Sequence, residues 1–433
     1  MKVAFYTLGC KVNQYETNAI AGKFKEAGYE IVDFEKKADV YVINTCTVTN
    51  IADKKSRQIL RRAKALNRKS IIVAIGCYAQ THKEETSKID EIDIVLGNHE
   101  KNRVVEIVEE YINKKNLEKI QVEDIENEKY FLDLGLVTYL EKTRAFIKVQ
   151  DGCNNFCSYC LIPYARGRIR SRKKESVLEE IRQIAKQGIQ EVVITGIHVA
   201  SYGKDLNENY YLIDLLEDIN KIEGIKRIRL GSLEPNIISK EFVNRLVKLD
   251  KICNHFHLSL QSGCDETLKR MNRKYNTEDF RKCVKLLREN FENVGLTADL
   301  IVGFPGETEE EFESTYKFLK EIKFSKIHVF KYSVREGTHA ARMENQVNAN
   351  IKEERSKKII ELSNKYEEEF LDNQIGKELE VLFEQQENEY YKGHTTNYLM
   401  VKIKGNKLEN RLVDIIIEKR DGLELTGESV TQM

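Results

Sequence analysis

Three cysteines at the spacing C-x3-C-x2-C constrain this chain more than any other feature. They are Cys153, Cys157 and Cys160, in the stretch Asp151-Gly152-Cys153-Asn154-Asn155-Phe156-Cys157-Ser158-Tyr159-Cys160. Thiolates so spaced can bind three irons of a cubane iron–sulfur cluster. No fourth cysteine stands at a matching spacing, so one iron keeps an open position, the mark of a reacting rather than a structural metal centre. Two other readings compete. Positions 153, 157 and 160 also share one helix face, where cysteine packs as a small hydrophobe; Gly152, Asn154 and Asn155 favour a loop instead. A zinc site closes with four nearby ligands, and no fourth follows within thirty residues.

A length of 433 residues predicts two to four domains, and 41% hydrophobic with 32% charged residues describes a soluble globular chain. The stretch Met1 to Thr7 lacks the apolar run of a signal peptide, and no run approaches a membrane span. Nine cysteines, an odd number, point to a reducing compartment, and the expected location is cytoplasmic. The formal net charge is zero, so any polyanion must be held by local patches.

The first hundred or so residues alternate apolar runs with helical patterns, as in a parallel α/β domain. Strands are expected at Lys2–Leu8, Val40–Asn44, Ile71–Ile75 and Ile92–Leu96, with helices near Gln14–Ala27 and Ile51–Leu66. Cys10, Cys46 and Cys77 follow the first three strands. Parallel strands end on one sheet edge, where ligands bind, so residues 36 and 31 positions apart in sequence become neighbours. They form either a second cluster site or three packed thiols. The helix after Cys46 carries Lys54, Lys55, Arg57, Arg61, Arg62, Lys64, Arg68 and Lys69 against Asp53 alone, either a solvated face or a phosphate-steering one.

Residues 113–138 read as a charged connector between a first domain at 1–112 and a core at 139–369. In the core, strands recur at Ala145–Val149, Glu191–Thr195, Arg227–Leu230, His255–Leu260, Thr297–Val302 and Lys326–Tyr332, six βα units that predict a partial or full parallel barrel with its chemistry at the strands' carboxyl ends. Arg166, Arg168, Arg170, Arg172, Lys173 and Lys174 place six cations in nine residues beside the cysteine loop, which favours anion or phosphate contact. All three prolines (Pro163, Pro235 and Pro305) follow strands or this loop, where a fixed φ sets the backbone. Glycine-bearing strand ends at Thr195-Gly196, Gln261-Ser262-Gly263 and Gly303 to Glu307 permit close approach of a small molecule. After a charged helix near Asn348–Asp372, residues 372–433 show short β alternation, at Leu379–Phe383, Tyr398–Ile403 and Leu412–Ile417, and predict a small β-barrel. Its mixed aromatics and cations, among them Lys392 and Tyr398, suit single-stranded nucleic acid, although residues 374–433 carry eight Lys and Arg against eleven Asp and Glu.

The three-cysteine loop after a first barrel strand resembles the radical S-adenosylmethionine superfamily. With Leu8-Gly9-Cys10-Lys11-Val12-Asn13-Gln14, Asn44-Thr45-Cys46-Thr47-Val48, Gly76-Cys77, Arg166-Gly167, Gln261-Ser262-Gly263 and Gly303-Phe304-Pro305-Gly306-Glu307-Thr308, the chain resembles the methylthiotransferases over nearly its whole length. Gly9 to Thr17 is most similar to the subfamily acting on threonylcarbamoyladenosine beside the tRNA anticodon; enzymes for isopentenyladenosine or a ribosomal protein carry other residues there. Cys264 departs from the serine more usual in the family and, with Cys253 and Cys283, reads as a packed thiol. The resemblance implies an α/β chain with an amino-terminal parallel sheet, a partial (βα)6 radical core and a TRAM-type β-barrel. It implies two 4Fe-4S clusters, one on Cys153, Cys157 and Cys160 and an auxiliary one on Cys10, Cys46 and Cys77. S-adenosylmethionine is then both radical source and methyl donor, with contacts at Thr195, Gly196, Gln261 and Gly303. The implied partners are tRNA, met by Arg166, Arg168, Arg170, Lys392 and Tyr398, and an external electron donor such as a flavodoxin or ferredoxin. A non-catalytic iron–sulfur RNA-binding protein is the alternative of another class.

Overall fold

The computed structural model describes residues 1–113, 118–135 and 143–430. The amino-terminal apolar runs form β1 (Lys2–Thr7), β2 (Glu30–Val32), β3 (Val40–Thr45), β4 (Ile71–Gly76), β5 (Ile94–Leu96) and β6 (Ile120–Gln121), in the spatial order β2-β1-β3-β4-β5-β6. Every pairing is parallel. Alternate residues feed two apolar layers, Tyr41, Ile43 and Ala74 on one face and Val40, Val42 and Val73 on the other. Covered on both faces, β3 is buried throughout, which is why its sequence reads as a continuous run. Helices α1 (Lys11–Glu26), α2 (Asn50–Leu66) and the short α3 (Cys77–Thr81) begin where β1, β3 and β4 end. Thr49 starts α2 by accepting the Ala52 N–H at 3.1 Å, and Ile59, Leu60 and Ala63 bury its apolar stripe. The expected connector is partly built into the fold: it supplies β6 and buries Ile125 and Leu134.

Seven strands follow: β7 (Arg144–Asp151), β8 (Arg170–Ser171), β9 (Glu191–Gly196), β10 (Arg227–Leu230), β11 (His255–Gln261), β12 (Gly295–Val302) and β13 (Lys326–Lys331). They lie in the orders β10-β9-β7-β8 and β11-β12-β13, and single parallel bridges at Ile228–Ile252 and Leu233–Leu258 connect the two sheets. The six expected strands pair in parallel, and β8 runs antiparallel to β7. Ile147, Ile194, Ile228, Leu258 and Ala298 join the apolar core. The alternate positions, facing the other way, are Lys148, Thr195, Arg229, His257 and Thr297. So polar a face does not make a core: Thr195, Arg229, His257 and Thr297 line a cavity, and Lys148 is buried in ion pairs with Glu16 and Asp151.

The helix Ala349–Asp372 leads to β14 (Glu378–Glu387), β15 (Tyr390–Thr395), β16 (Met400–Lys404), β17 (Leu412–Asp421) and β18 (Glu424–Ser429), a closed barrel in the order β14-β15-β16-β18-β17. Val381, Phe383, Val401, Ile415 and Leu425 fill it. Tyr398, expected on a strand, stands in the β15–β16 turn at φ 71°. Arg227 and Arg229 tie this barrel to the core: Arg227 donates to the Glu380 and His394 carbonyls at 2.7 and 2.8 Å, and Arg229 to the Thr396 carbonyl at 3.0 Å. Among the described residues no helix is long and apolar enough to cross a membrane.

Candidate active site

Backbone geometry brings the first three cysteines together. Gly9 and Gly76, each preceding a cysteine, have φ of 96° and 98°, a region other residues rarely enter. A Cβ on Gly9 would lie 2.8 Å from Cys46 Sγ, and one on Gly76 2.5 Å from the Thr45 carbonyl. The two glycines therefore let β1 and β4 turn in against the end of β3. Desolvation by the protein crowded around it raises the Cys10 thiol, although that residue is exposed at the cavity, and burial pushes Cys46 up to about 12; in each case Cys77 adds to the rise. Thiols so arranged do not ionise alone; a coordinated metal deprotonates them outright. Arg166 Nε lies 3.4 Å from Cys77 Sγ, which suits a sulfur carrying negative charge.

The second set sits in a loop fixed by its neighbours. The Cys153 N–H donates to the Gly167 carbonyl (3.0 Å), the Ser158 N–H to that of Met271 (3.1 Å), and Asn272 Nδ2 to that of Phe156 (2.9 Å). Each sulfur faces one N–H donor: Asn155 N at 3.5 Å from Cys153, Ile162 N at 3.4 Å from Cys160, and Arg273 Nη1 at 3.1 Å from Cys157. Burial pushes Cys153 up to about 11 and Cys160 to about 12, with Cys157 adding to both. Among the described residues no three His, Cys, Asp or Glu side chains close on a single metal ion. A polynuclear cluster, whose thiolates bind different irons, asks for a wider triangle. Donors on the sulfurs, with the raised thiols of Cys10 and Cys46 in one set and Cys153 and Cys160 in the other, fit that group.

Glu234 and Arg273 had no signal in the sequence. Glu234 holds Asn155 at 2.8 Å, Arg273 at 2.7 Å and His198 at 3.1 Å. Burial would raise its carboxyl, but His198 and Arg273 outweigh that and hold it at about 2.

The arginine run differs from expectation. Arg166 and Arg170 are corrected as RNA contacts, because both are buried, at 0% and 3% exposure. Arg166 reaches across to the amino-terminal domain, with Nη1 2.7 Å from Glu16 Oε1 and Nη2 2.6 Å from Asn13 Oδ1; it also pairs with Asp151 at 3.1 Å. Lys148 joins Glu16 at 2.7 Å and Asp151 at 2.6 Å, and Lys101 closes on Glu16 from the other side. Arg172 is likewise internal, bonded to Tyr15 (3.0 Å) and Glu180. These arginines join domains, while Arg168 is exposed, pairing with Glu126 at 3.2 Å. Lys392 is held by Glu387 (2.7 Å) and Glu424 (2.8 Å).

A cavity of about 660 Å³ lies where the three parts meet, with Cys10 and Lys11, Thr195 and Gly196, and Tyr398 in its wall. Thr195 and Gly196 end β9 beside β7, whose Gln150 bonds the Gly152 carbonyl at 2.7 Å, so this end of the cavity adjoins the cysteine loop. Gln261 and Gly303 stand at or just past the carboxyl ends of β11 and β12, outside the cavity lining; the Gly303 N–H donates to Glu307 at 2.7 Å. Tyr398, expected as an RNA contact, stands in the cavity wall and not on an outer barrel face. Its ring is stacked between His255 and His394, at 4.9 and 4.6 Å, under Arg229 at 4.8 Å, and it closes the cavity's far end.

The radical SAM superfamily model matches residues 147–319, and the model described as Uncharacterized protein family UPF0004 matches residues 2–97. The threonylcarbamoyladenosine tRNA methylthiotransferase of Bacillus subtilis (strain 168) is 46% identical over 412 residues, covering 94% of this chain and 91% of the relative. The chain belongs to the radical S-adenosylmethionine tRNA methylthiotransferases. A tRNA-2-methylthio-N(6)-dimethylallyladenosine synthase of Alkaliphilus oremlandii is 35% identical, covering 100% of the methylthiotransferase described here and 93% of its own length. Among solved structures, a radical S-adenosylmethionine methyltransferase from Kitasatospora setae, with cobalamin and a 4Fe-4S cluster bound, aligns at TM-score 0.60 and 16% identity over 78% of this chain and 77% of its own, a likeness of fold.

Proposed function

We propose that the chain transfers a methylthio group to C2 of N6-threonylcarbamoyladenosine at position 37 of tRNA, giving 2-methylthio-N6-threonylcarbamoyladenosine. The observation that carries this is the single cavity onto which both Cys10 and the strand end beside the Cys153–Cys160 loop open. A base held there lies within reach of both cysteine sets. Cys153, Cys157 and Cys160 are assigned to one 4Fe-4S cluster and Cys10, Cys46 and Cys77 to a second. Bound with S-adenosylmethionine, these groups supply a carbon radical for the C2 hydrogen and a sulfur to replace it, which no side chain offers.

The chain does the holding. Arg273 braces Cys157 and Glu234 together, Arg166 locks the two cysteine-bearing domains in register, and Tyr398 with its histidines keeps water from one end. Thr195, Gly196, Gln261 and Gly303 remain the proposed S-adenosylmethionine contacts. The proposed division is a cluster-binding domain at 1–112, a partial (βα)6 core at 139–369 and a TRAM-type barrel at 372–433. An electron donor such as a flavodoxin or ferredoxin and a cytoplasmic location complete the reading. The test is mass spectrometry of tRNA nucleosides from cells with and without the gene: the 2-methylthio nucleoside should vanish and plain threonylcarbamoyladenosine accumulate. An unchanged profile overturns the proposal.

The phosphate face moves to exposed cations of the two basic runs, among them Lys54 and Lys55 on α2 and Arg168 beside the loop. Changing all three to glutamine should flatten the plot of log affinity for tRNA against log salt by about two to three, since each phosphate contact releases about one counterion. An equal slope in wild type and variant would return these residues to plain solvation.

A further inference from the structure

Among the described residues Lys11 is the cation in the cavity wall with no ion-pair partner. It begins α1 directly after Cys10 and opens into the cavity. Its neighbours are all committed. Arg229 bonds Glu191 at 2.9 Å and two carbonyls of the terminal barrel. Arg144 and His394 share Glu384, at 2.6 and 2.7 Å. Lys326 holds Glu367 at 2.7 Å, and His257 lies 3.1 Å from Asp299. Among the described residues no carboxylate or carbonyl pairs with the Lys11 ammonium, whose one described contact is the Phe146 ring at 5.7 Å. Lys11 is exposed to the cavity rather than buried, so its ammonium is open to an anionic ligand that enters there.

We propose that Lys11 binds the threonyl carboxylate of the substrate nucleotide and thereby selects threonylcarbamoyladenosine over adenosines with a neutral N6 group. The inference rests on the function proposed above and names the residue that reads the substrate. In adenine, C2 and the carbon bearing N6 flank N1. A carbamoyl tail folded along that edge carries its carboxylate towards the wall that C2 faces. Cys10 and Lys11 are consecutive residues of that wall, so one base position presents C2 to the first and the carboxylate to the second. The carboxylate of S-adenosylmethionine and an RNA phosphate share the same chemistry, and the test separates them.

Binding of anticodon stem-loops carrying threonylcarbamoyladenosine, its methyl ester or dimethylallyladenosine is measured on wild type, Lys11→Gln and Lys11→Arg, each with its clusters loaded. An ammonium–carboxylate contact in an enclosed site corresponds to about ten- to a hundredfold in affinity. Wild type should lose that factor on the ester, Lys11→Gln should bind acid and ester alike, and Lys11→Arg should keep most of the preference, a coupling read as a double-mutant cycle. Equal affinity of wild type for acid and ester overturns the proposal, and this arm needs no variant to fold. Equal losses on all three RNAs in Lys11→Gln would assign Lys11 to a phosphate, and weaker S-adenosylmethionine binding with intact acid–ester discrimination would assign it to the cofactor; either result also overturns it. Failure of the underlying function shows separately: wild type would methylthiolate the dimethylallyl stem-loop and leave the threonylcarbamoyl one unchanged.

Discussion

Cys46→Ala is expected to divide the reaction: 5′-deoxyadenosine still forms, while no methylthio group reaches the tRNA. Cys46 ends β3 and belongs with Cys10 and Cys77, whose elements meet at one sheet edge. The Cys153–Cys160 loop is held instead by Gly167, Met271 and Asn272, none of which touches Cys46. Removing this thiol therefore leaves every donor to Cys153, Cys157 and Cys160 in place. Both products are to be measured from one anaerobic reaction, with iron counted first. About four irons per chain, normal deoxyadenosine and product below a hundredth of wild type are expected. Full methylthiolation would reduce Cys46 to a packed thiol. Loss of both products at four irons would mean that the sites do not act separately. Cys157→Ala is the mirror experiment and should abolish deoxyadenosine as well.

The cysteine sets were legible because each is fixed by local sequence: one by spacing within a single loop, the other by the rule that parallel strands end on the same edge. The six parallel central strands and three of the five barrel strands could be read for the same reason, since long apolar or alternating runs leave few alternatives; β15 and β18, rich in polar residues, could not. β2 and β6, three and two residues long, carry no period to detect. The arginines failed differently. Nothing near Arg166 in sequence tells that Glu16, 150 residues away, will be its partner, and a dense basic run reads as a surface until the partner is placed. The setting of Tyr398 could not be read because its company, His255 and His394, comes from two different domains. Lys11 lay within a quoted motif, yet its lack of an ion-pair partner among the described residues became visible only once each neighbouring cation had been paired in three dimensions.

Arg166→Ala should destabilise the chain more than any other change outside the apolar core. The residue is fully buried and satisfies Glu16, Asp151 and Asn13 at once while donating to Cys77. Burial alone would raise the Glu16 carboxyl, but Arg166, Lys101 and Lys148 together hold it well below the ordinary range. Removing one partner of such a group costs about 3–5 kcal/mol, because a charge is left buried without its match. For a chain of 433 residues that corresponds to a fall in apparent Tm of about 3–5 °C. Lysine should rescue only in part, since one ammonium cannot span the positions that the guanidinium fork reaches. The sign with pH follows from the depressed carboxyl. Its contribution is complete above the unfolded value near about 4.3 and is lost as pH falls through the folded value. The gap between wild type and Arg166→Ala should therefore be widest near neutral pH and narrow on acidification. Adding Glu16→Ala to Arg166→Ala should cost less than the two single changes summed, because the second change removes a group that has already lost one partner. A Tm within about 2 °C of wild type, or strict additivity of the two changes, would show that water already solvates Glu16 and that the two cysteine-bearing domains are joined by their apolar contacts alone.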